Sequence, residues 1–566
     1  MIEKPGLKDD LALGRNENND LSPASYFAPQ SGGSGDHSLQ FGDDDRDPWD
    51  YDDYRDEDDE DDEDDNDENE LEERILALGG GESPKPLSED IAAPSALEKE
   101  LQEAPKPGAP SLAQEMQGLR RMARDCMEEL GSLGVLRSPE GNSIPWAQGP
   151  EQFEQRLLND LDALVSLSYP FVSISGSGRF DILSALIDYA GDGFVPDPSR
   201  AFAGAFVLGC VSGEDTALSA AMRLRQSHRM TYNAQRDALA LAPNPHIGPA
   251  IRKICGEGNA ALIRIALDIL RMRLESSLDI VAPLIAHPDA AVRGAAAKSL
   301  PLVEPREGAL ALLEQRLPLE DDERVLTIVL EGMLRLGSPK ALAQLRLKLA
   351  QELASPGTLT TFSKLDSMRL LAIAGDENDS EPLARLLDKN PHEANAIGWH
   401  GHPAHLPILI QALEQSEGIG SRVAFAREVS RALHRISGLG TPEGPSLSSL
   451  EAIEPPIDSR FWKARLEKAR EQFEKPERLR FGKPFTPFAV LAEAQAKDVL
   501  RDRRVHCELE LAILSQGTSR FFVHDWVARQ ETALSALRDY FSQGKGIGVE
   551  AGKWVAQRLG KPLTSV

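Results

Sequence analysis

The sequence predicts an all-α fold in which helical hairpins repeat along the chain, with an acidic arm before them and a non-repeat helical region after them. Three observations support this prediction. Only 5% of the 566 residues are aromatic, and Ala and Leu dominate from about residue 150 onward, which favours packed helices over a β-sandwich. Between residues 151 and 440 the chain repeats a helix, a short turn and a second helix. Residues 43–73 hold 22 Asp and Glu against two Arg, a composition that cannot form an apolar core.

The first predicted element is a disordered acidic arm, residues 1–110, which is rich in Gly, Ser, Pro and Asp. Its segment 43–73 carries a net charge of −20, so most of the chain's net charge of −29 is concentrated there. Trp49, Tyr51 and Tyr54 are interspersed among the carboxylates. This composition favours a solubilising tail, and a segment that captures a basic partner stays open as the alternative.

Residues 111–150 are predicted to form an amphipathic helix followed by a linker. Ser111 is a suitable N-cap residue, and Gly131 lies near the expected end of the helix. An apolar stripe on one helical face is formed by Leu112, Met116, Leu119, Cys126 and Leu130. The stripe is consistent with the first helix of the fold and also with a separate docking helix on a flexible tether.

The repeats occupy residues 151–440, and their clearest unit surrounds residue 290. Pro288 and Asp289 form a turn and cap the next helix, in which Val292, Ala296 and Leu300 fall on one face. Weaker copies follow near residues 336–342, 374–387 and 398–409. The pattern resembles HEAT-type repeats, whose hairpins bury their apolar faces only by stacking on the next hairpin. This resemblance implies an α-solenoid of six to eight hairpins.

The remainder, residues 441–566, is predicted to be a Pro-rich linker and a helical C-terminal cap that does not follow the repeat. Residues 458–506 contain 13 Lys and Arg against 8 Asp and Glu, which makes this stretch basic. Such a stretch can receive the acidic arm or an acidic partner, and salt would screen that contact over about 10 Å.

One cluster in the sequence has metal-ligand character: His400, His402 and His405. Three imidazoles at this spacing can reach one zinc or nickel ion. No Cys or carboxylate accompanies them at ligand spacing, and they occupy a turn between two helices. The favoured interpretation is a solvated turn, so no metal or cofactor is expected, and a metal-dependent protein stays as an alternative.

Several classes of protein are disfavoured by composition. The polar start of the chain lacks a signal peptide, and its longest apolar run, residues 201–211, is about half of what a bilayer requires. The four cysteines are isolated, which is typical of reduced thiols in a cytoplasmic protein. The repeats are not basic as a group, so nucleic acid is not expected as a partner. No catalytic motif stands out, and an enzyme is not expected.

A series of short elements between about residues 370 and 535 is more specific. They are Gly401-His402-Pro403 with Leu406-Pro407-Ile408-Leu409, Ile436-Ser437-Gly438, Phe461-Trp462, Gly482-Lys483-Pro484, Arg503-Arg504, and Trp526 with Arg529-Gln530. Their order and spacing resemble a family of bacterial HEAT-repeat proteins of unassigned biochemistry, whose genes often lie among type VI secretion accessory genes. Phe461 stands where a second Trp is usual in that family, and the acidic arm is not part of the shared pattern.

The resemblance implies a non-enzymatic protein-binding scaffold, an accessory or adaptor protein of a type VI secretion system that holds a spike component or an effector. Recognition would use a concave groove lined by the inner helices. The candidate partner-binding residues are Phe461, Trp462, Arg503, Arg504, Trp526 and Arg529, for which core packing and local ion pairing are the alternatives. Two other functions stay open: capture of basic partners by residues 43–73, and metal binding by the three histidines.

Overall fold

The computed structural model of the chain describes residues 112–137, 153–173, 176–191, 195–257, 259–388, 390–440, 455–475, 477–496, 499, 501–547 and 550–560. These residues form 22 α-helices and four short β-strands, named α1–α22 and β1–β4 in chain order. The all-α class is therefore confirmed for this part of the chain. None of the helices described has the length and apolar character needed to cross a bilayer. The predicted acidic arm and residues 441–454 of the predicted linker lie outside the described residues.

The first helix packs into the fold, which decides between the two interpretations of its apolar stripe. Ala123, Met127 and Leu130 are fully buried, and α1 contacts the next three helices. It is therefore the first helix of the fold and not a tethered docking helix. The N-terminal elements are α1 (Leu112–Arg137), α2 (Gln155–Leu167), β1 (Phe171–Ser173), β2 (Gly176–Gly178), α3 (Ile182–Gly191) and α4 (Pro198–Cys210).

Seven pairs of helices follow, each made of an odd-numbered helix and the even-numbered helix after it, and the two members of each pair are in contact. Each even-numbered helix from α4 to α18 also contacts the next even-numbered one, and we call these eight helices the even row. The bounds are α5 (Glu214–Gln226), α6 (Tyr232–Leu241), α7 (Ile247–Ile254), α8 (Ala260–Met272), α9 (Leu278–Leu284), α10 (Ala290–Ser299), α11 (Arg306–Arg316), α12 (Glu323–Arg335), α13 (Pro339–Ala354), α14 (Thr361–Ala374), α15 (Ser380–Leu386), α16 (Pro391–His400), α17 (Leu406–Ser416) and α18 (Val423–Ser437).

Helix α10 shows why the predicted pattern folds in this way. The Asp289 carboxylate accepts a hydrogen bond of 3.1 Å from the Val292 amide, which satisfies one of the unpaired N–H groups at the helix start. Val292, Ala296 and Leu300 are fully buried, as predicted. Burying a side chain of the size of Val or Leu stabilises a fold by roughly 1.5–3 kcal/mol. The small residues of α10 leave room for its neighbours in the even row, α8 and α12.

The C-terminal region, residues 455–560, has contacts that extend well beyond the last repeat. Trp526 donates a hydrogen bond to the Leu241 carbonyl at the end of α6, and Arg478 donates one to the Ile373 carbonyl near the end of α14. Helix α21 contacts α12. This region therefore lies along the C-terminal ends of several even-row helices and is more than a cap on α18. Its elements are α19 (Ser459–Lys468), β3 (Leu479–Arg480), β4 (Lys483–Pro484), α20 (Pro487–Gln495), α21 (Arg501–Leu514) and α22 (Val527–Ser542).

Candidate functional site

The antiparallel hairpin of β3 and β4 meets the ends of α16 and α18, and so joins sequence elements about 40 to 80 residues apart. Its backbone amides donate to carbonyls at these two helix ends. The bonds run from Leu479 to Gly401 at 2.9 Å, from Phe481 to Arg435 at 2.6 Å and from Gly482 to Ile436 at 2.9 Å. Because the last carbonyls of a helix have no partner within the helix, the hairpin supplies the donors that they lack.

Two glycines permit this close approach. Gly401 and Gly438 end α16 and α18 with φ angles of +74° and +67°, in the left-handed region that favours glycine. A Cβ atom on Gly401 would lie 2.3 Å from the Leu479 carbonyl oxygen, and one on Gly438 would lie 2.4 Å from the Phe481 carbonyl oxygen. A side chain at either position would therefore push the hairpin away from the even row.

Arg478 and Arg480 extend from the hairpin into the interior, where their side chains are 1% exposed. Arg480 donates to Glu493 at 2.6 Å and lies 3.3 Å from Glu510. Arg478 donates to Glu510 at 2.8 Å and to the Trp399 carbonyl at 3.2 Å. Burial alone would raise the pKa of Glu510, but the neighbouring cations outweigh it and lower the pKa to about 2. Glu510 is therefore an ionised carboxylate in the interior.

Two further arginines complete this group. Arg435 of α18 is 2% exposed, donates to the Asn395 side chain at 3.1 Å and places its guanidinium carbon 5.3 Å from the centre of the Trp399 ring. His506 stacks on Trp399 at a centroid distance of 3.5 Å, and Arg503 lies 3.7 Å from Glu493. We define the arginine cluster as Arg435, Arg478, Arg480, Arg503, Glu493 and Glu510.

The three histidines are buried, so the predicted solvated turn is wrong. His400 and His405 have no exposed surface and His402 is 8% exposed. Their ring centroids are 5.1 to 6.1 Å apart, and Trp554 lies 4.7 Å from His400 and 5.6 Å from His402. The physical reason is coverage by the C-terminal region, which the local sequence of the turn does not encode.

The hydrogen bonds of these histidines describe a neutral, packed group. His400 Nε2 lies 3.0 Å from the Asp376 carbonyl, and His405 Nε2 lies 3.0 Å from the Ser380 carbonyl. Since carbonyls only accept, both nitrogens carry protons. Burial lowers the pKa of His405 to about 4 and that of His400 well below its usual range. Within the described ranges, no group of three His, Cys, Asp or Glu is arranged to hold a metal ion, so the metal alternative gains no support.

Among the aromatic candidates, Trp462 has no exposed surface and donates through its indole N–H to the Pro456 carbonyl at 2.7 Å and to Ser430 Oγ at 3.2 Å. Phe461 is half-buried, with its ring edge-on to Trp462 at 5.7 Å. Trp526 is also half-buried, with its indole N–H bonded to the Leu241 carbonyl at 3.0 Å. These contacts place Trp462 out of reach of a partner and leave only parts of Phe461 and Trp526 at the surface.

The three arginine candidates are in different surroundings. Arg504 is 1% exposed and donates to the Ala494 carbonyl and to the Gln530 side chain. The Arg503 side chain is 12% exposed and belongs to the arginine cluster. The Arg529 side chain is 52% exposed and lies 3.4 Å from Asp525. Of the six candidate residues, Arg529 is thus the one with a mostly exposed side chain.

A groove of about 690 Å³ lies between α17 and α19, and we call it the α17–α19 groove. The side chains along the α17 side are apolar, and the α19 side contributes apolar and charged residues. The lining residues are Pro403, Leu406, Pro407 and Ile410 on the α17 side, and Lys463, Ala464, Leu466, Glu467, Arg470, Phe473 and Glu474 on the α19 side. Apolar concave surfaces with a few polar groups are typical of binding sites.

Neither the two walls of this groove nor most of the arginine cluster was predicted from the sequence. Pro403, Leu406 and Pro407 belong to an element that carries the family resemblance, which assigns them no role. For Arg435, Arg478 and Glu493 no local signal exists, because nothing in their immediate sequence distinguishes a buried charge from a surface one. The glycine at position 482, in the turn between the two short strands, was a usable hairpin signal.

The site has to be interpreted from its own geometry. A scan against protein-family models gives no match for this chain, and a search of curated proteins gives none either. The buried hairpin junction, the arginine cluster and the neighbouring groove are therefore the observations from which a function can be inferred.

Proposed function

We propose that the chain is a non-enzymatic protein-binding scaffold that holds a protein partner in the α17–α19 groove. The groove carries this proposal, since it combines a volume of about 690 Å³ with an apolar wall and charged residues of both signs. The contacts between successive even-row helices support a HEAT-like α-solenoid as its framework, because each pair buries apolar surface on the next.

The groove fits the apolar face of a peptide helix. Leu406 and Ile410 of α17 lie one helical turn apart, are largely buried and line the groove. Exposed Glu467 and Arg470 stand on the α19 side and can pair with charges at the edge of such a helix. Helix-in-groove recognition has this arrangement of apolar anchors and polar borders.

The resemblance to type VI secretion accessory proteins suggests the identity of the partner. Pro403, Leu406 and Pro407 belong to the elements that carry the resemblance, and all three line the groove. We therefore propose a cytoplasmic adaptor that presents a spike component or an effector to the secretion machinery. The chemistry at the groove is binding alone.

An affinity pull-down from the native cell tests the proposal. Ala464 is exposed and lines the groove, so Ala464→Arg should obstruct it without disturbing the core. Ala528→Arg, at an exposed position on α22, is the matched control. Spike, tube or effector proteins should bind the unaltered chain and the control. Their affinity for Ala464→Arg should be at least about tenfold lower, which corresponds to about 1.4 kcal/mol. Equal recovery with both variants would refute the groove as the binding site.

The acidic segment is the second candidate for the binding function, and its charge is the observation that favours it. Residues 43–73 carry 22 acidic side chains, enough to attract a basic protein over a long range at low salt. A comparison of the full-length chain with a shorter chain that begins at Ser111 distinguishes the two candidate functions. Partners retained by the shorter chain bind the folded part. Basic proteins that bind only the full-length chain and dissociate near about 0.3 M NaCl would assign binding to the arm.

A further inference from the structure

The arginine cluster contains more positive than negative charge. Three of its arginines, Arg435, Arg478 and Arg480, face two glutamates, and the side chains of Arg478, Arg480, Glu493 and Glu510 are at most 1% exposed. A buried charge without a counter-charge is expensive to maintain, because water no longer solvates it. The surplus therefore calls for an anion that the side chains of the cluster do not provide.

The excess positive charge is located at Arg435. Arg478 and Arg480 each contact a glutamate, and Arg503 lies near Glu493. The hydrogen-bond partner of Arg435 is the neutral side chain of Asn395. Burial, followed by the charge of Arg503, lowers the pKa of Arg435 to about 9, the direction expected for a guanidinium with too little negative charge around it.

Nitrogen atoms from three elements lack an acceptor at this place. The buried Nε of Arg435 on α18, Nε1 of Trp399 on α16 and Nη1 of Arg480 on β3 find no hydrogen-bond partner in the described part of the chain. These residues are close neighbours, because Arg435 lies over Trp399 at 5.3 Å and Arg480 shares Glu510 with the His506 that stacks on Trp399. Unpaired buried donors in a native protein point to an unseen water or ion.

The other titratable groups around the cluster do not remove the surplus. Burial lowers the pKa of His506 to about 4 and raises the pKa of the Cys507 thiol, so both are neutral at pH 7. Glu428 on α18 raises the pKa of Arg435 somewhat, but its carboxylate is bonded to Arg431 and not to Arg435. The missing negative charge must then come from outside these residues.

We propose that the arginine cluster binds one small oxyanion, of the size and charge of inorganic phosphate, next to Arg435. A planar guanidinium presents parallel N–H donors that match the oxygen atoms of such an anion, and the indole N–H of Trp399 adds a third donor. The burial of the donors selects a small free anion over a charged group on a macromolecule. The bound anion would connect α16, α18 and the hairpin, and this role is independent of the proposed partner binding.

Thermal unfolding of the full-length chain tests the site. At pH 7.5 and constant ionic strength, replacing chloride with inorganic phosphate should raise the Tm in a saturable way, by about 2 °C or more. An identical Tm in the two anions at every concentration would overturn the proposal and indicate that water satisfies the donors.

Equilibrium dialysis with radiolabelled phosphate provides the second measurement, and its first result, on the unaltered chain, does not depend on the stability of a variant. The unaltered chain should bind one phosphate. Arg435→Lys, which keeps the charge and loses the paired donors, should bind at least about tenfold more weakly, whereas Arg460→Gln at an exposed position on α19 should bind as the unaltered chain does. Absence of binding, or unchanged binding in Arg435→Lys, would refute the site.

Discussion

The even row and the C-terminal region differ in how they are joined to their neighbours. The row is built from apolar contacts between helices that are close in sequence, and its buried residues form continuous hydrophobic clusters. The C-terminal region shares one of these clusters, for example through Phe485 and Leu511, and adds hydrogen bonds and buried charges across long separations. Trp526 and Leu241 are 285 residues apart, and Arg137 and His524 are 387 residues apart.

This difference predicts how each region responds to substitution. Apolar cores tolerate exchanges that preserve volume at a cost below about 1.5 kcal/mol. Buried ion pairs and close backbone contacts depend on individual residues, because no neighbour can replace a charge or make room for a Cβ atom. Substitutions in the hairpin junction should therefore be more damaging than substitutions of similar size in the row.

The largest effect is expected for Glu510→Gln. This change leaves Arg478 and Arg480 without one of their carboxylates, and breaking such a buried pair costs about 3–5 kcal/mol. Leu330→Met, at a fully buried position of α12, is the comparison within the row and should cost less than about 1.5 kcal/mol. The midpoints of denaturant unfolding give both values. Equal losses of unfolding free energy in the two variants would show that the two regions respond to substitution in the same way.

A second test uses two glycines with similar backbone angles. Gly438→Ala places a Cβ atom 2.4 Å from the Phe481 carbonyl oxygen, whereas Gly418, with a φ of +75°, has nothing within 4 Å of a Cβ. Both variants should lose about 1–2 kcal/mol from the left-handed conformation, and Gly438→Ala should lose at least about 2 kcal/mol more from the clash. If thermal unfolding shows the same loss for both, the hairpin does not approach α18 this closely.

Acid should destabilise the junction through its buried histidines. The pKa values of His405 and His506 are lowered to about 4 from an ordinary value of 6.5, so below pH 6.5 the unfolded chain takes up protons that the folded chain does not. The free energy of unfolding should therefore decrease as the pH is lowered, by about 1.5 kcal/mol per histidine between pH 6.5 and 5. Carboxylates with lowered pKa values, such as Glu510 at about 2, act mainly below that window.

Denaturant unfolding at several pH values measures this dependence. His405→Gln should reduce the loss between pH 6.5 and 5, and His392→Gln, at an exposed position, should leave it unchanged. A stability that stays constant over this window would show that the histidines are not held neutral by burial.

The smallest effect is expected for Arg529→Ala. The Arg529 side chain is 52% exposed and its pair with Asp525 lies at the surface, where such pairs contribute roughly 0–1 kcal/mol. Folding stability should change by less than about 0.5 kcal/mol. In the pull-down, a loss of partner without a loss of stability would identify Arg529 as a partner contact, and unchanged recovery would remove the most exposed of the six candidates.

Local patterns predicted much of the fold, while contacts across the sequence were not predictable. The cap at Asp289 and the buried stripe of Val292, Ala296 and Leu300 follow from helical periodicity and turn chemistry, and both are confirmed. The turn at His400 was predicted to be solvated. This prediction was wrong because Trp554, which covers the turn, lies about 150 residues away and is not encoded in the local sequence.

The candidate site shows the same limit. Gly401, Gly438 and Gly482 each belong to one of the short elements that carry the family resemblance, yet their meeting at one hairpin depends on how β3 and β4 return to the even row. The α17–α19 groove exists only because α19 packs beside α17 after an intervening segment. Periodicity assigns a face to a residue, but it does not select the distant partner of that face.

The C-terminal region is fixed to the ends of α16 and α18 and so supplies one wall of the α17–α19 groove. Hydrogen exchange of the full-length chain tests this attachment at the amides of Leu479, Phe481 and Gly482, which donate to the even row. These amides should exchange as slowly as the buried part of α18, since they open in the same step. Rapid exchange of the hairpin while α18 stays protected would show that the hairpin is not fixed to the even row.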